Sequence, residues 1–455
     1  MNQSEIEQIN AASLDLLDTV GVRLEHDEVF EKVIKAGGRP GSAAYDVRFP
    51  PELVADCLSL APESVQLDAV DGTRTCLNTD CDPVFWTCPV LYLWDGKHRR
   101  EILQTDLTRI SRLCNRLRNV QGIMGVALAD VPPLARDFVG VRVMAESSNK
   151  HIRALCFSGG GMEALAEMKP LLPGNWFSLG FTAHGPLRWT QLALDVYLKS
   201  AGQKIPVTIN GEPMAGVTGP VTLAGNIAVG NAEILAGIVV NQVLEPGRPV
   251  IYNLGLAHLF DMKHATAITG GPENGLVAEA SAALGRYYRL PSSSWVSTES
   301  LFEDQQAALE KMFGFLTHVS SGVNLLWGMG QLESEMTISL GQLVVDNEIV
   351  DFVRRYRRGF QVDDESINLQ TIREVGIGGS FLEHEHTLKH FRDEIYHPQI
   401  LNRSARTDQS RPVVEVAREK AEELLKQESV SHFPPEISAE LRRIERRYRE
   451  RLALG

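Results

Sequence analysis

The side chains able to do chemistry in this 455-residue chain are acidic, aromatic and imidazole groups. No G-x-S-x-G elbow, P-loop or C-x-x-C pair occurs, so the residues for a nucleophilic serine, a phosphate cradle or a cysteine-held metal are missing. What occurs is a scattered set: Asp130, Ser158, His184, Glu212, Asn253, Asp261, Glu299, Trp327, Glu333 and the run Glu383-His384-Glu385-His386, with Trp86, Tyr92 and Trp94 added from the earlier part of the chain. Lysine is absent from it. Aromatic faces among carboxylates suit an organic cation, because the ring quadrupole attracts a charge that cannot hydrogen-bond. Tyr92, Trp94 and Trp327 are the expected cage, and Glu299 and Glu333 the expected counter-charges. His184, Asn253 and Asp261 join them as expected substrate-binding groups. His386 is expected to hold a substrate carboxylate, and with Glu333 it is placed nearest the reaction. His384 and His386 would share one face of a strand, but no third ligand is marked by spacing, so no metal is expected. The loop at 211–220 ahead of an apolar helix reads either as a backbone anion site or as a tight turn.

Each candidate follows a short apolar run, and that shared position defines the elements. The clearest unit is Gly322 to Glu333: apolar 323–327, then Gly328 and Gly330, then an acidic residue, then a helical pattern from about 339 to 357. A run buried on both faces, a glycine exit and a helix make one βα unit with its chemistry at the strand's C-terminal end. The unit recurs. Strands are expected at 120–128, 152–157, 177–182, 206–210, 249–254, 294–298 and 323–327, with a weaker eighth at 380–382. Helical patterns near 134–147, 161–169, 190–201, 221–243, 274–288 and 303–319 lie between them. Consecutive right-handed βα units predict a (β/α)8 barrel, with a doubly wound open sheet as the alternative. No G-x-G-x-x-G follows the first of these strands. The expected division is an N-terminal α+β cap over 1–104, the barrel over 105–400, and a helical extension over 401–455. The two charged helices of that extension, near 412–427 and 435–452, read as a solvated surface hairpin or as a docking surface.

Bulk properties narrow the class further. A formal charge of −13 argues against nucleic-acid binding through the overall field. The most apolar stretch, 221–243, is interrupted by Asn226, Asn231 and Glu233 and reads as a buried barrel helix rather than a membrane span. The start, Met-Asn-Gln-Ser-Glu-Ile-Glu, has no basic-then-apolar pattern of a signal peptide, and six cysteines show no paired spacing. A reduced, cytoplasmic protein is expected, with a weak lean toward a homo-oligomer.

Several linked motifs then resemble the trimethylamine methyltransferase family. They are Ala215-Gly-Val-Thr-Gly-Pro-Val-Thr-Leu-Ala-Gly225, Asn231-Ala-Glu-Ile-Leu-Ala-Gly237, Gly270-Gly-Pro-Glu273, Leu284-Gly-Arg-Tyr-Tyr288, Leu332-Glu333 with Met336-Thr-Ile-Ser339, Gln342-Leu-Val-Val-Asp-Asn-Glu348, and Phe381-Leu382 with His386-Thr-Leu-Lys389. The resemblance spans about residues 105–400 and implies a (β/α)8 enzyme that passes a methyl group from an amine to a separate corrinoid protein. Founding members use pyrrolysine, and this chain has only the twenty standard residues. That departure implies the branch acting on quaternary amines such as glycine betaine, with cob(I)alamin as nucleophile and no tightly bound cofactor of the chain's own. A quaternary donor carries its own leaving group, a neutral tertiary amine, and needs mainly desolvation and in-line positioning. Two other readings remain: a non-catalytic betaine-binding barrel, and a corrinoid-dependent enzyme with another methyl donor, for which a zinc site would be expected.

Overall fold

Runs buried at every residue form the inner wall. Val84–Thr87, Val207–Asn210, Val250–Asn253, Ser292–Trp295 and Leu325–Met329 have no exposed position, as strands covered on both faces require. The computed structural model describes residues 1–455 except 256, 405, 407, 409, 428–432 and 453–455. Eight parallel strands close into a barrel in sequence order: β1 (Val84–Thr87), β2 (Gly122–Met124), β3 (His151–Arg153), β4 (Phe177–Thr182), β5 (Val207–Asn210), β6 (Val250–Asn253), β7 (Ser292–Trp295) and β8 (Leu325–Met329). β8 pairs back onto β1, with Trp327 opposite Trp86. Each strand is followed by a helix of the outer layer, from Gln104–Arg116 after β1 to Leu340–Arg358 after β8.

The closed ring rules out the open sheet, and two expectations about how it is built need correction. The eighth strand does not lie at 380–382, which is non-strand chain outside the barrel. The missing strand is β1, inside the stretch read as a cap. The boundary at 104 therefore cuts through the barrel. The run from Val84 to Trp94 was legible as β structure, but its burial on both faces was masked by the hairpin signals around it. The rest of the N-terminal part packs on the outer layer and on one end of the strands. Gln3–Thr19, Asp27–Lys35 and Pro51–Leu60 pack on the helix Leu223–Leu244. The hairpin Val65–Asp68 with Arg74–Leu77 sits under the N-terminal ends of β3 and β4, where the Asp68 carbonyl accepts from His151 and its carboxylate accepts from the Asn175 N–H at 2.6 Å.

Leu223–Leu244 is long and apolar enough to cross a membrane, yet it lies within the fold, buried at both Asn231 and Glu233. The C-terminal helices do not form a free hairpin. Val413–Leu425 buries Ala417 and Ala421 against Leu340–Arg358 and Gln104–Arg116. Pro435–Arg451 buries Leu441, Ile444 and Tyr448 against Arg136–Ser147 and Gly159–Met168. Their arginines reach carboxylates of the barrel layer, such as Arg442 to Glu146 at 2.8 Å.

One buried ion pair sets the loop that leaves β8. Lys311 and Asp346, both fully buried, lie 3.1 Å apart. Lys311 also donates to the Gly328 carbonyl, and Asp346 accepts the Gly330 N–H at 2.7 Å and the Gln342 amide at 2.8 Å. Gly328 and Gly330 sit at φ of +117° and +80°, a region closed to most side chains, and a Cβ on Gly328 would lie 2.0 Å from the Val296 carbonyl oxygen. The chain then runs through three left-handed residues, Glu333, Ser334 and Glu335, held by Glu333 N–H to Ser300 O (2.7 Å) and Ser334 N–H to Thr298 O (2.9 Å).

Candidate active site

A cavity of about 600 Å³ opens at the C-terminal end of the barrel, the end where this fold keeps its chemistry. Trp86 and Trp327 line its wall, on neighbouring strands. Trp86 lies over Gly122, where a Cβ would come within 2.4 Å of the indole nitrogen, so only glycine admits the ring. Its other neighbour is His151, stacked at 5.3 Å, which burial keeps neutral with a pKa pushed down to about 4. Trp327 stacks on Trp295 at 5.6 Å and 9°. The last residues of β4, β5 and β6 form a hydrogen-bonded chain of one hydroxyl and two amides. Asn253 donates to Asn210 Oδ1 at 2.7 Å, and Asn210 donates to Thr182 Oγ1 at 2.9 Å.

The mouth is acidic. Glu212, two residues past β5, is pushed up to about 7, first by burial and then by Glu233. Glu233, on the helix Leu223–Leu244, reaches about 7 through burial, although it accepts the Leu187 N–H at 2.9 Å and the Glu212 N–H at 3.3 Å. Glu335, in the loop after β8, is held well above the ordinary carboxylate range by burial and then by Glu212. Asp137 is pushed up to about 6 by burial, against the lowering effect of the Phe157 and Ser158 N–H groups at 3.1 Å. Those bonds fix the loop that presents Phe157 at the rim, 61% exposed. A cavity with two aromatic faces and carboxyls poised between neutral and charged can take up a cation and ionise as it enters.

The expected site residues divide. Trp327 and Asn253 line the cavity. Tyr92 and Trp94 do not; they lie in a small rim sheet beside Thr337–Ser339. The Tyr92 face is covered by Arg99 at 3.5 Å, and Trp94 packs edge-on against Phe302. Glu333 turns away from the cavity to pair with Arg99 at 2.6 Å and to accept from Thr337. Glu299 accepts the Gly270 N–H at 2.6 Å and bonds Thr269, tying down the loop before the helix Pro272–Tyr287. Asp261 closes a turn through Lys263 and His264 at 2.8 and 2.6 Å, and His184 is exposed in the loop after β4. His386 belongs to the helix Glu385–Glu394, where its ring meets His390 at 4.4 Å. Arg355 and Arg358 hold that helix at the end of Leu340–Arg358 away from the cavity mouth. Of the other residues first gathered, Glu212 and Trp86 line the cavity, whereas Asp130 and Ser158 serve backbone N–H groups.

Glu335, Asp137 and Arg153 line the cavity and were not anticipated. In the loop after β8, three successive positive-φ residues scramble which side chain points inward, so Glu335 rather than Glu333 faces the cavity. Arg153 did carry a signal: a charged residue within His-Ile-Arg-Ala-Leu, a run otherwise apolar enough for a strand buried on both faces.

Comparison with known proteins agrees with this fold. A family model described as trimethylamine methyltransferase matches residues 1–451. Trimethylamine methyltransferase MttB of Methanosarcina barkeri is 30% identical over 97% of this chain and 93% of its own length. The glycine betaine methyltransferase of Desulfitobacterium hafniense is 28% identical over 97% of this chain and 94% of its own. The crystal structure of the monomethylamine methyltransferase of Methanosarcina barkeri shares the fold, with a TM-score of 0.55 and 13% identity over 93% of this chain and 88% of that one. A match along nearly the whole chain makes it a member of the trimethylamine methyltransferase family.

Proposed function

We propose that the chain moves a methyl group from a quaternary amine of the betaine class to the Co(I) of a corrinoid carried by a partner protein. The observation that carries this reading is the meeting of Trp86 and Trp327 with Glu212 and Glu335 around one cavity at the barrel mouth. The family supplies the reaction type, and the relative named glycine betaine methyltransferase supports a quaternary donor. The loop after β8 contains only standard residues, so nothing in it resembles the electrophile that a neutral tertiary amine needs. A quaternary ammonium needs none, because a neutral amine leaves. The indole faces hold the methyl groups, the carboxyls balance the charge, and the enclosed walls strip water from the onium. Very tight binding of the cation would stabilise the ground state alone, so a cage of moderate strength is what catalysis favours. The corrinoid supplies the nucleophile that accepts the methyl group. The rim it would meet carries apolar side chains among the charged ones, with Phe157 and Leu91 both exposed and Met336 bonded to Leu91 through its backbone.

The test mixes the purified protein with cob(I)alamin and each of a panel of quaternary amines and trimethylamine, following the Co(I) absorbance. Loss of Co(I) with a quaternary amine is the expected result. No loss with any amine would sink the catalytic reading, and saturable binding without transfer would favour a barrel that only binds its ligand.

A further inference from the structure

Three basic side chains other than histidine are buried among the described residues: Arg153, Arg248 and Lys311. Lys311 has Asp346 at 3.1 Å, and Arg248 has Glu245 at 3.6 Å. Arg153 has a single hydrogen bond, from Nη1 to the Ala154 carbonyl at 2.6 Å, and no described carboxylate pairs with it. It is 6% exposed and lines the cavity. Burying a lone cation is unfavourable unless a counter-charge arrives, and a guanidinium fork is the natural receptor for a carboxylate.

Its position gives the site a direction. Arg153 ends β3, and its guanidinium lies over Gly180 of β4, where a Cβ would sit 1.6 Å from Nη2. Gly180 is in register with Thr208, whereas Glu212 lies four residues further along the same chain, past the end of β5. Between the two levels, the amides of Asn210 and Asn253 are engaged with each other, with Thr182 and with the Gly255 N–H at 2.9 Å. The cavity thus has a positive floor, a neutral polar middle and an acidic mouth.

We propose that Arg153 anchors a carboxylate of the substrate at the cavity floor, so that the site selects zwitterions and holds them with the ammonium toward the mouth. This rests on the quaternary-amine reading for the ammonium end alone; the anion anchor stands on Arg153. The arrangement places the methyl groups where a partner can reach them and leaves a simple tetraalkylammonium without a handle. A second arginine, Arg136, is half-buried at the rim and donates to the Val131 carbonyl at 3.1 Å. Its partial exposure leaves no buried charge in need of a counter-ion, so it is not the anchor.

The test measures binding by calorimetry to wild type, Arg153→Met and Arg136→Met. The probes are glycine betaine, γ-trimethylammonio butyrate, tetramethylammonium, and 3,3-dimethylbutanoate, the carbon isostere of glycine betaine that keeps the carboxylate and lacks the ammonium charge. The expected result is a loss of at least about 30-fold in zwitterion affinity in Arg153→Met, with tetramethylammonium affinity kept. Removing an unpaired buried charge should also leave the thermal midpoint of the ligand-free protein unchanged or raised, which separates the effect from misfolding. Equal losses for zwitterion and tetramethylammonium, or a zwitterion loss confined to Arg136→Met, would overturn the proposal. If no quaternary amine binds wild type but 3,3-dimethylbutanoate does so through Arg153, the anchor stands and the quaternary-amine reading falls. If no probe binds, both fall.

Discussion

Glu212 and Glu233 are carboxyls that the fold keeps near half-protonation at neutral pH, and that has a measurable consequence. Their folded pKa values, about 7, lie above the ordinary 4.5, so the folded state holds their protons more firmly than the unfolded chain. Stability from this source is complete at low pH and is lost as pH rises through about 7. The thermal midpoint of the ligand-free protein should therefore fall between pH 5 and 8. A cation favours the ionised forms, so the affinity for a quaternary ammonium probe should rise by about 10-fold from pH 6 to pH 8 if one such proton leaves on binding. Glu212→Gln should flatten that rise; calorimetry across the interval checks it, and an unchanged slope would remove Glu212 from the cage. At this scale the sequence showed residue types better than directions. Trp327 and Asn253 were legible because they lie on barrel strands whose inward parity is fixed by period two. Tyr92, Trp94 and Glu333 were not, since they sit on rim strands and a left-handed loop whose facing depends on partners far along the chain.

The loop after β8 is the element on which the acidic mouth depends, and its geometry is imposed from beneath. Lys311 and Asp346 form an ion pair with no access to water, and each also holds a backbone group of the Gly328–Gly330 turn. Removing one partner leaves an uncompensated buried charge. Lys311→Met should lower stability by about 3–5 kcal/mol, and Lys311→Met with Asp346→Leu should recover much of it. Chemical denaturation of the two variants measures both effects, and the double variant should still bind cations more weakly because Glu335 loses its support. The βα rhythm was readable over most of the chain because buried strands and amphipathic helices have different periods. β1 escaped because its four residues sit among hairpin signals and its partners, β2 and β8, lie far ahead in sequence.

At the scale of the whole molecule, the C-terminal helices are clamps on the barrel's outer layer. Arg418 reaches back from Val413–Leu425 to Glu303, whose side chain is almost fully buried just before the helix Gln305–Ser321. Glu303 also accepts from Ser339, the N-cap of Leu340–Arg358. Arg418→Met should destabilise the protein by about 1–3 kcal/mol by stranding that carboxylate, seen as a lower urea midpoint. A loss within experimental error would mean that the clamp is apolar contact alone. The seam of the ring has a separate consequence for biosynthesis. β1 is among the earliest parts of the barrel to leave the ribosome, and its partner β8 among the last. A nascent chain therefore carries Trp86 without Trp327 until a further 241 residues have been made, and the cavity wall that the two indoles share cannot form before the ring closes.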